Sequence, residues 1–162
     1  MVSTGKSFRQ KYGTFEAKIK LHDSKDLQNA FWMVGTTILP HIDIVNAGKK
    51  IKVGTTWGDP KELKNAQRIS KFLGRRKFAS DYYIYSFEWT YSRLVWRING
   101  IEVASTNRGI PTEPLYLLLS SGLQKDVNGI LPAMMEIDWV RCYQHTDYNE
   151  ESFFVRHAYF LG

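Results

Sequence analysis

One cysteine, Cys142, stands among 162 residues, so the chain can form no internal disulfide and no cysteine-based metal cluster. The four histidines (His22, His41, His145 and His157) show no metal-ligand spacing. No run of about 18 apolar residues occurs, which excludes a membrane-spanning helix. The first residues, Met1-Val2-Ser3-Thr4-Gly5-Lys6, lack the apolar core of a signal peptide, so either a cytosolic protein or one stripped of its leader is expected. Internal repeats and low-complexity linkers are missing as well. Acidic residues are the scarcer charge: 16 Asp and Glu against 22 Lys and Arg leave a net charge of +6.

That excess is local. Between Pro60 and Lys77 lie Lys61, Lys64, Arg68, Lys71, Arg75, Arg76 and Lys77 against Glu62 alone, which accounts for all of it. Such a patch suits an acidic partner, whether a sulfated or uronic glycan, nucleic acid or anionic lipid; a solvated helix face is the plainer reading. Nucleic acid ranks low, because no recognition motif accompanies the charge. Aromatic residues are abundant, with five Trp and nine Tyr. They suit either a β-rich core or a surface of rings that stack on sugars or bases.

A chain of this length is about one domain. Tyr12 to Leu21 alternates cleanly, with Phe15, Ala17, Ile19 and Leu21 on one face and Glu16, Lys18 and Lys20 on the other. Ala30–Val34 reads as a second strand, Pro40 to Gly48 as a third and Ile51–Trp57 as a fourth. Asp59-Pro60-Lys61-Glu62 then resembles a helix start, with Asp at the N-cap, Pro at N1 and Glu at N3. Leu63, Ala66, Ile69 and Phe72 follow at helical spacing and Gly74 suits the end, which predicts one short helix near 60–73. From Tyr82 the pattern is strand again. Asn99-Gly100, between Arg93–Ile98 and Ile101–Ser105, is a strong hairpin signal. Leu115–Leu119, Met134–Tyr143 and Phe153–Leu161 complete an all-β chain, a sandwich or jelly roll.

The third strand stands out. His41 and Asp43 share one face of His41-Ile42-Asp43-Ile44-Val45-Asn46, and Asn46 has the wrong parity to join them. A β-bulge near Ile44-Val45 would insert one residue and bring all three polar side chains to one face.

Several segments in order resemble glycoside hydrolase family 16. They are Tyr12-Gly13-Thr14-Phe15-Glu16-Ala17-Lys18-Ile19-Lys20, Ala30-Phe31-Trp32, Ile42-Asp43-Ile44 and Thr56-Trp57-Gly58. Tyr85-Ser86-Phe87-Glu88-Trp89-Thr90, Trp96-Arg97-Ile98-Asn99-Gly100 and Met135 to Gln144 continue the match, which covers most of residues 3 to 144. The resemblance implies a concanavalin-like β-jelly roll of two curved antiparallel sheets with a glycan cleft on the concave one. It further implies a retaining mechanism on β-linked glucans or galactans, an extracellular or periplasmic setting, and no cofactor beyond a structural cation such folds sometimes carry. It divides the chain into a jelly roll over 1–145 and an extension over 146–162, offered as an added edge strand that replaces strands the family places upstream of Ser3.

The family's central strand reads Glu-x-Asp-x-x-Glu: nucleophile, electrostatic helper and acid/base. Retaining chemistry needs two carboxyl groups about 5 Å apart. Here the nucleophile position is His41, the acid/base position is Asn46, and Asp43 alone remains. Asn46 cannot serve as acid or base, and that loss alone costs about 10² to 10⁴ in rate. Glu136-Ile137-Asp138 repeats the acidic spacing but falls on the family's closing strand and, like Glu16 and Glu88, reads as structural. Gln28-Asn29 replaces a family Trp-Pro pair and removes one stacking ring.

Three functions stay open. A non-catalytic domain would bind an oligo- or polysaccharide through Trp32, His41, Asp43, Asn46 and Trp57. A retaining hydrolase with altered catalytic residues is the second. An interaction domain acting through the basic segment is the third.

Overall fold

Period-two patterning becomes strands in two antiparallel sheets. The computed structural model describes residues 1–22, 26–48, 50–70, 78–123 and 134–145, without the side chains of residues 67–70. In chain order the strands are β1 (Val2–Ser3), β2 (Gly13–Lys20), β3 (Leu27–Val34), β4 (His41–Ala47), β5 (Ile51–Asp59) and β6 (Glu62–Ser70). They continue with β7 (Tyr83–Trp89), β8 (Leu94–Ile98), β9 (Ile101–Thr106), β10 (Tyr116–Leu123) and β11 (Glu136–Tyr143). One sheet has the order β1-β10-β3-β4-β5-β6 and the other β11-β2-β7-β8-β9. Among the described residues no helix is long and apolar enough to cross a membrane.

The sheets face each other across a core built from alternate residues. From one side come Phe15, Ala17, Ile19, Phe87, Trp89 and Trp96; from the other, Phe31, Met33, Ile42, Val45 and Val53. Each of these side chains is buried, and a fully buried one of this size contributes about 1.5–3 kcal/mol. The outward residues of β2 pair instead across the exposed face. Lys18 meets Asp138 at 2.7 Å, Lys20 meets Glu136 at 3.5 Å, and Ser86 donates to Glu16 at 2.8 Å. Arg97 holds Glu88 at 2.7 Å. These four carboxylates are therefore occupied on the five-stranded sheet.

Asn99 and Gly100 both have positive φ, at 48° and 80°, as a two-residue hairpin turn with right-handed strand twist requires. The Asn99 carboxamide also accepts the Ile84 backbone N–H at 2.8 Å, so one residue turns the chain and caps the neighbouring strand.

The helix expected near 60–73 is not formed over the residues described. Glu62–Ser70 is strand β6, paired with β5 from Asp59↔Glu62 to Ile51↔Ser70. Asp59 Oδ1 accepts the Lys61 N–H at 2.8 Å, and Pro60 occupies the first corner of the turn. Asp followed by Pro opens a type I turn as readily as a helix, because both need φ near −65° at Pro and a side-chain acceptor before it. The free edge of β5 decides the outcome by offering a full row of backbone partners. Leu63, assigned to a buried helix face, is instead 55% exposed. Phe153–Leu161 and the whole 146–162 extension lie outside the described residues.

Candidate functional site

The site begins with one extra residue in β4. Against β3, Trp32 pairs with Asp43 and Phe31 with Val45, so Ile44 is the bulged residue. Against β5 the register shifts over the same interval, between Asp43 and Asn46. The shift reverses the alternation. Ile44 and Val45 both enter the core, while Asn46 joins Asp43 and His41 on the outer face of the six-stranded sheet. From the facing sheet, buried Trp96 donates its indole N–H to the Asp43 carbonyl at 2.9 Å, which fastens the backbone where the ladder is disturbed.

Above the bulge lies a cavity of about 290 Å³ lined by Gln28, Trp32, His41, Asp43, Asn46 and Ser120, among others. Its floor is one hydrogen-bonded chain. Asp43 Oδ1 lies 3.1 Å from His41 Nε2 and accepts the Asn46 carboxamide, also at 3.1 Å. Gln28 Nε2 in turn donates to Asn46 Oδ1 at 2.8 Å. A carboxylate oxygen accepts, so His41 Nε2 is the donor in that contact. The Trp32 ring stacks on the His41 imidazole at 4.8 Å and 21°, and its Nε1 donates to Ser120 Oγ at 3.1 Å. Asp43 itself is 7% exposed.

Four of the five expected binding residues thus come together: Trp32, His41, Asp43 and Asn46. Trp57 does not. Thr56 stands opposite His41, so its neighbour Trp57 points to the other face of β5, with Thr55. There Thr55 Oγ1 donates to the Gly109 carbonyl, and a β-carbon at Gly109 would collide with the Trp57 ring. Trp57 is half-buried against Gly109 and stands outside the lining of this cavity.

Of the basic segment, Lys61 and Lys64 are exposed on the β5–β6 hairpin and Arg68 lies on β6. Lys71, Arg75, Arg76 and Lys77 fall outside the described residues. Ser120 and Ser121 lie at the cavity without having been singled out from sequence; the signal was two small hydroxyl residues and a Gly directly after Leu117-Leu118-Leu119.

Chemically the lining is a binding surface with one carboxylate among the described residues, Asp43. No group of three His, Cys, Asp or Glu among the described residues gathers to hold a metal ion. Outside the cavity, burial pushes the Tyr85 phenol well above its ordinary range and raises the Cys142 thiol. The Tyr82 phenol is raised first by its hydrogen bond to Glu136. None of these groups reaches the cavity.

Comparison with known proteins gives consistent results. The chain is 24% identical over 158 residues to the endo-1,3-1,4-beta-glycanase EglC of Rhizobium meliloti (strain 1021), covering 88% of this chain and 32% of that protein. It is 23% identical over 160 residues to the endo-1,3-1,4-beta-glycanase ExsH of the same organism, with the same coverage. The chain therefore spans about a third of the length of these relatives. Among solved structures, the catalytic domain of an endo-1,3-beta-glucanase (laminarinase) from Thermotoga petrophila RKU-1 superposes with a TM-score of 0.70 at 21% identity, over 89% of this chain and 68% of that one. A Bacteroides ovatus mixed linkage glucan family 16 protein in complex with its product gives 0.73 at 20% identity, over 86% and 73%. These likenesses establish the jelly-roll fold. The family model for glycosyl hydrolases family 16 matches residues 1–141, and the chain belongs to that family.

Proposed function

We propose that this domain binds a β-linked glucan or a (sulfated) galactan in the His41–Asp43–Asn46 cavity and does not hydrolyse it. The observation that carries the reading is the cavity's lining, in which Asp43 is the one carboxylate among the described residues. Retaining hydrolysis uses a second carboxyl group about 5 Å away, and His41 and Asn46 occupy the positions that would supply the pair. Both are committed to Asp43 by hydrogen bonds, so neither is poised as nucleophile or acid. What remains suits recognition: a Trp-His shelf, a carboxylate, carboxamides and hydroxyls, the mixture of apolar and convergent polar groups that holds small ligands. The relatives' activity on β-glycans points to the ligand class.

The test combines calorimetric binding with a reducing-sugar assay on laminarin, mixed-linkage glucan and agar-type galactan. Binding without turnover is expected for the unmodified protein. Hydrolysis appearing only in the double variant His41→Glu with Asn46→Glu would mark the cavity as a degenerate catalytic centre. Measurable turnover by the unmodified protein would refute the reading.

A further inference from the structure

Asn46 fits into the polar chain of the cavity floor in one orientation only. A carboxylate accepts and does not donate, so the Asn46 atom that meets Asp43 Oδ1 at 3.1 Å is the amide nitrogen. Asn46 Oδ1 is thereby turned to the other side, where it accepts from Gln28 Nε2 at 2.8 Å. The direction of the whole chain follows. Gln28 donates to Asn46, and Asn46 and His41 both donate to the same oxygen of Asp43. Asp43 Oδ2 has no hydrogen-bond partner among the described residues, although the side chain is only 9% exposed and lines the cavity.

Strand register explains why Gln28 is the donor. Ala30 stands directly opposite Asn46 on β3 and carries only a methyl group. Gln28 lies two residues earlier on the same face, which makes it the diagonal neighbour, within reach for a long side chain. Among the described residues it is the one donor to Asn46 Oδ1. Position 28 is also where the family resemblance places a Trp. The exchange that removes a stacking ring therefore supplies a hydrogen bond to position 46.

We infer that Gln28 is the positioning residue of this cavity. It holds the Asn46 carboxamide with its N–H on Asp43 Oδ1, which leaves Oδ2 as the acceptor offered to a ligand hydroxyl. Its effect on affinity rests on the glycan-binding reading above; its hold on Asn46 does not. Without the Gln28 donor, the carboxamide is free to turn its oxygen toward Asp43, setting acceptor against acceptor and loosening the floor on which the ligand rests.

The experiment compares Gln28→Glu, which keeps the shape and loses the donor, with Gln28→Leu. Kd for a laminarin or mixed-linkage glucan oligosaccharide is measured by calorimetry from neutral pH down to about pH 4, each value read as a ratio to the unmodified protein. The ratio divides out the titration of the other ionisable groups around this pair, which are Asp43 and His41 on β4 and Lys52 opposite Asn46 on β5; Ser120 and Gly122 of β10 add none. Gln28→Glu should weaken binding about tenfold at neutral pH and recover in acid, where the introduced carboxyl group gains a proton to donate. Gln28→Leu should lose as much and recover nothing. In parallel, heteronuclear NMR of the ligand-free protein follows the Asn46 side-chain amide. Its signal should shift in both variants and return in acid only in Gln28→Glu, while a thermal melt verifies each fold. Wild-type affinity of Gln28→Glu at neutral pH, or a loss that acid does not reverse, would overturn the positioning role. An Asn46 amide signal indifferent to Gln28→Glu would overturn it whatever the glycan does. Failure of every form to bind glycan, with the amide signal still following the substitution and the pH, would overturn the parent reading and leave the hold on Asn46 standing.

Discussion

Replacing Trp96 by Phe and, separately, Trp89 by Phe isolates the contact that fastens the bulge. Both indoles are fully buried, at 1% and 0% exposure, in the same core. Trp96 donates to the Asp43 carbonyl at 2.9 Å, whereas Trp89 Nε1 has no hydrogen-bond partner among the described residues. The loss of ring size costs about 1–2 kcal/mol at either position. Trp96→Phe additionally strips a buried carbonyl of its donor, about 1–3 kcal/mol more. Trp89→Phe does the reverse, shedding an unpaired N–H whose burial costs a similar amount. The two variants should therefore differ by about 2 kcal/mol or more, with Trp96→Phe the weaker. For a domain of this size that separates the melting temperatures by about 4–8 °C. Denaturant unfolding with matched m-values supplies the free energies, and glycan affinity should fall only for Trp96→Phe, because Asp43 is part of the cavity floor. Equal destabilisation, within about 0.5 kcal/mol, would refute the argument that the indole holds the bulge.

Trp57→Ala should destabilise the fold by about 1–3 kcal/mol, less than a fully buried aromatic because the ring is half-buried, yet leave glycan affinity unchanged; calorimetry checks it. Gly109→Ala should cost about 1–3 kcal/mol in thermal unfolding, since its φ of 65° and the adjacent Trp57 ring both reject a β-carbon. The raised Cys142 thiol holds less thiolate at neutral pH than a free cysteine, so alkylation should be slow in the folded protein. Labelling should accelerate as pH rises toward the thiol's elevated pKa, and labelling as fast as in the unfolded chain would contradict this. Deleting residues 150–162 should lower solubility and melting temperature, as exposing an unpaired sheet edge would; unchanged values would sink the edge-strand role expected of the extension.

Where one face of a strand is buried, the sequence was easy to read. Phe15, Ala17 and Ile19 alternate with Glu16, Lys18 and Lys20, and only one pairing face satisfies both sets. The bulge was legible for a related reason: three polar residues cannot share a face at positions 41, 43 and 46 without an extra residue between the last two. Local signals are degenerate at two places. Asp59-Pro60 begins a helix or a turn with the same dihedral angles, and only the unpaired edge of β5 decides between them. Trp57 was assigned by its ring, although parity with Thr55, set by a partner strand 15 residues away, determines where a ring points. Ser120 and Ser121 were missed because β10 joins the site from a distant part of the chain, a placement that no local pattern encodes.

The fastening of Asp43 from beneath has a further consequence. Position in this cavity is written in the main chain, by the Ile44 insertion and an indole anchored in the opposite sheet, and not by the side chains that do the work. Such a site behaves as a socket. Its occupants can be exchanged, carboxylate for imidazole or carboxamide, without altering where they are presented. Under the binding reading proposed above, two substitutions in such a socket would suffice to remove the reaction and two to restore it.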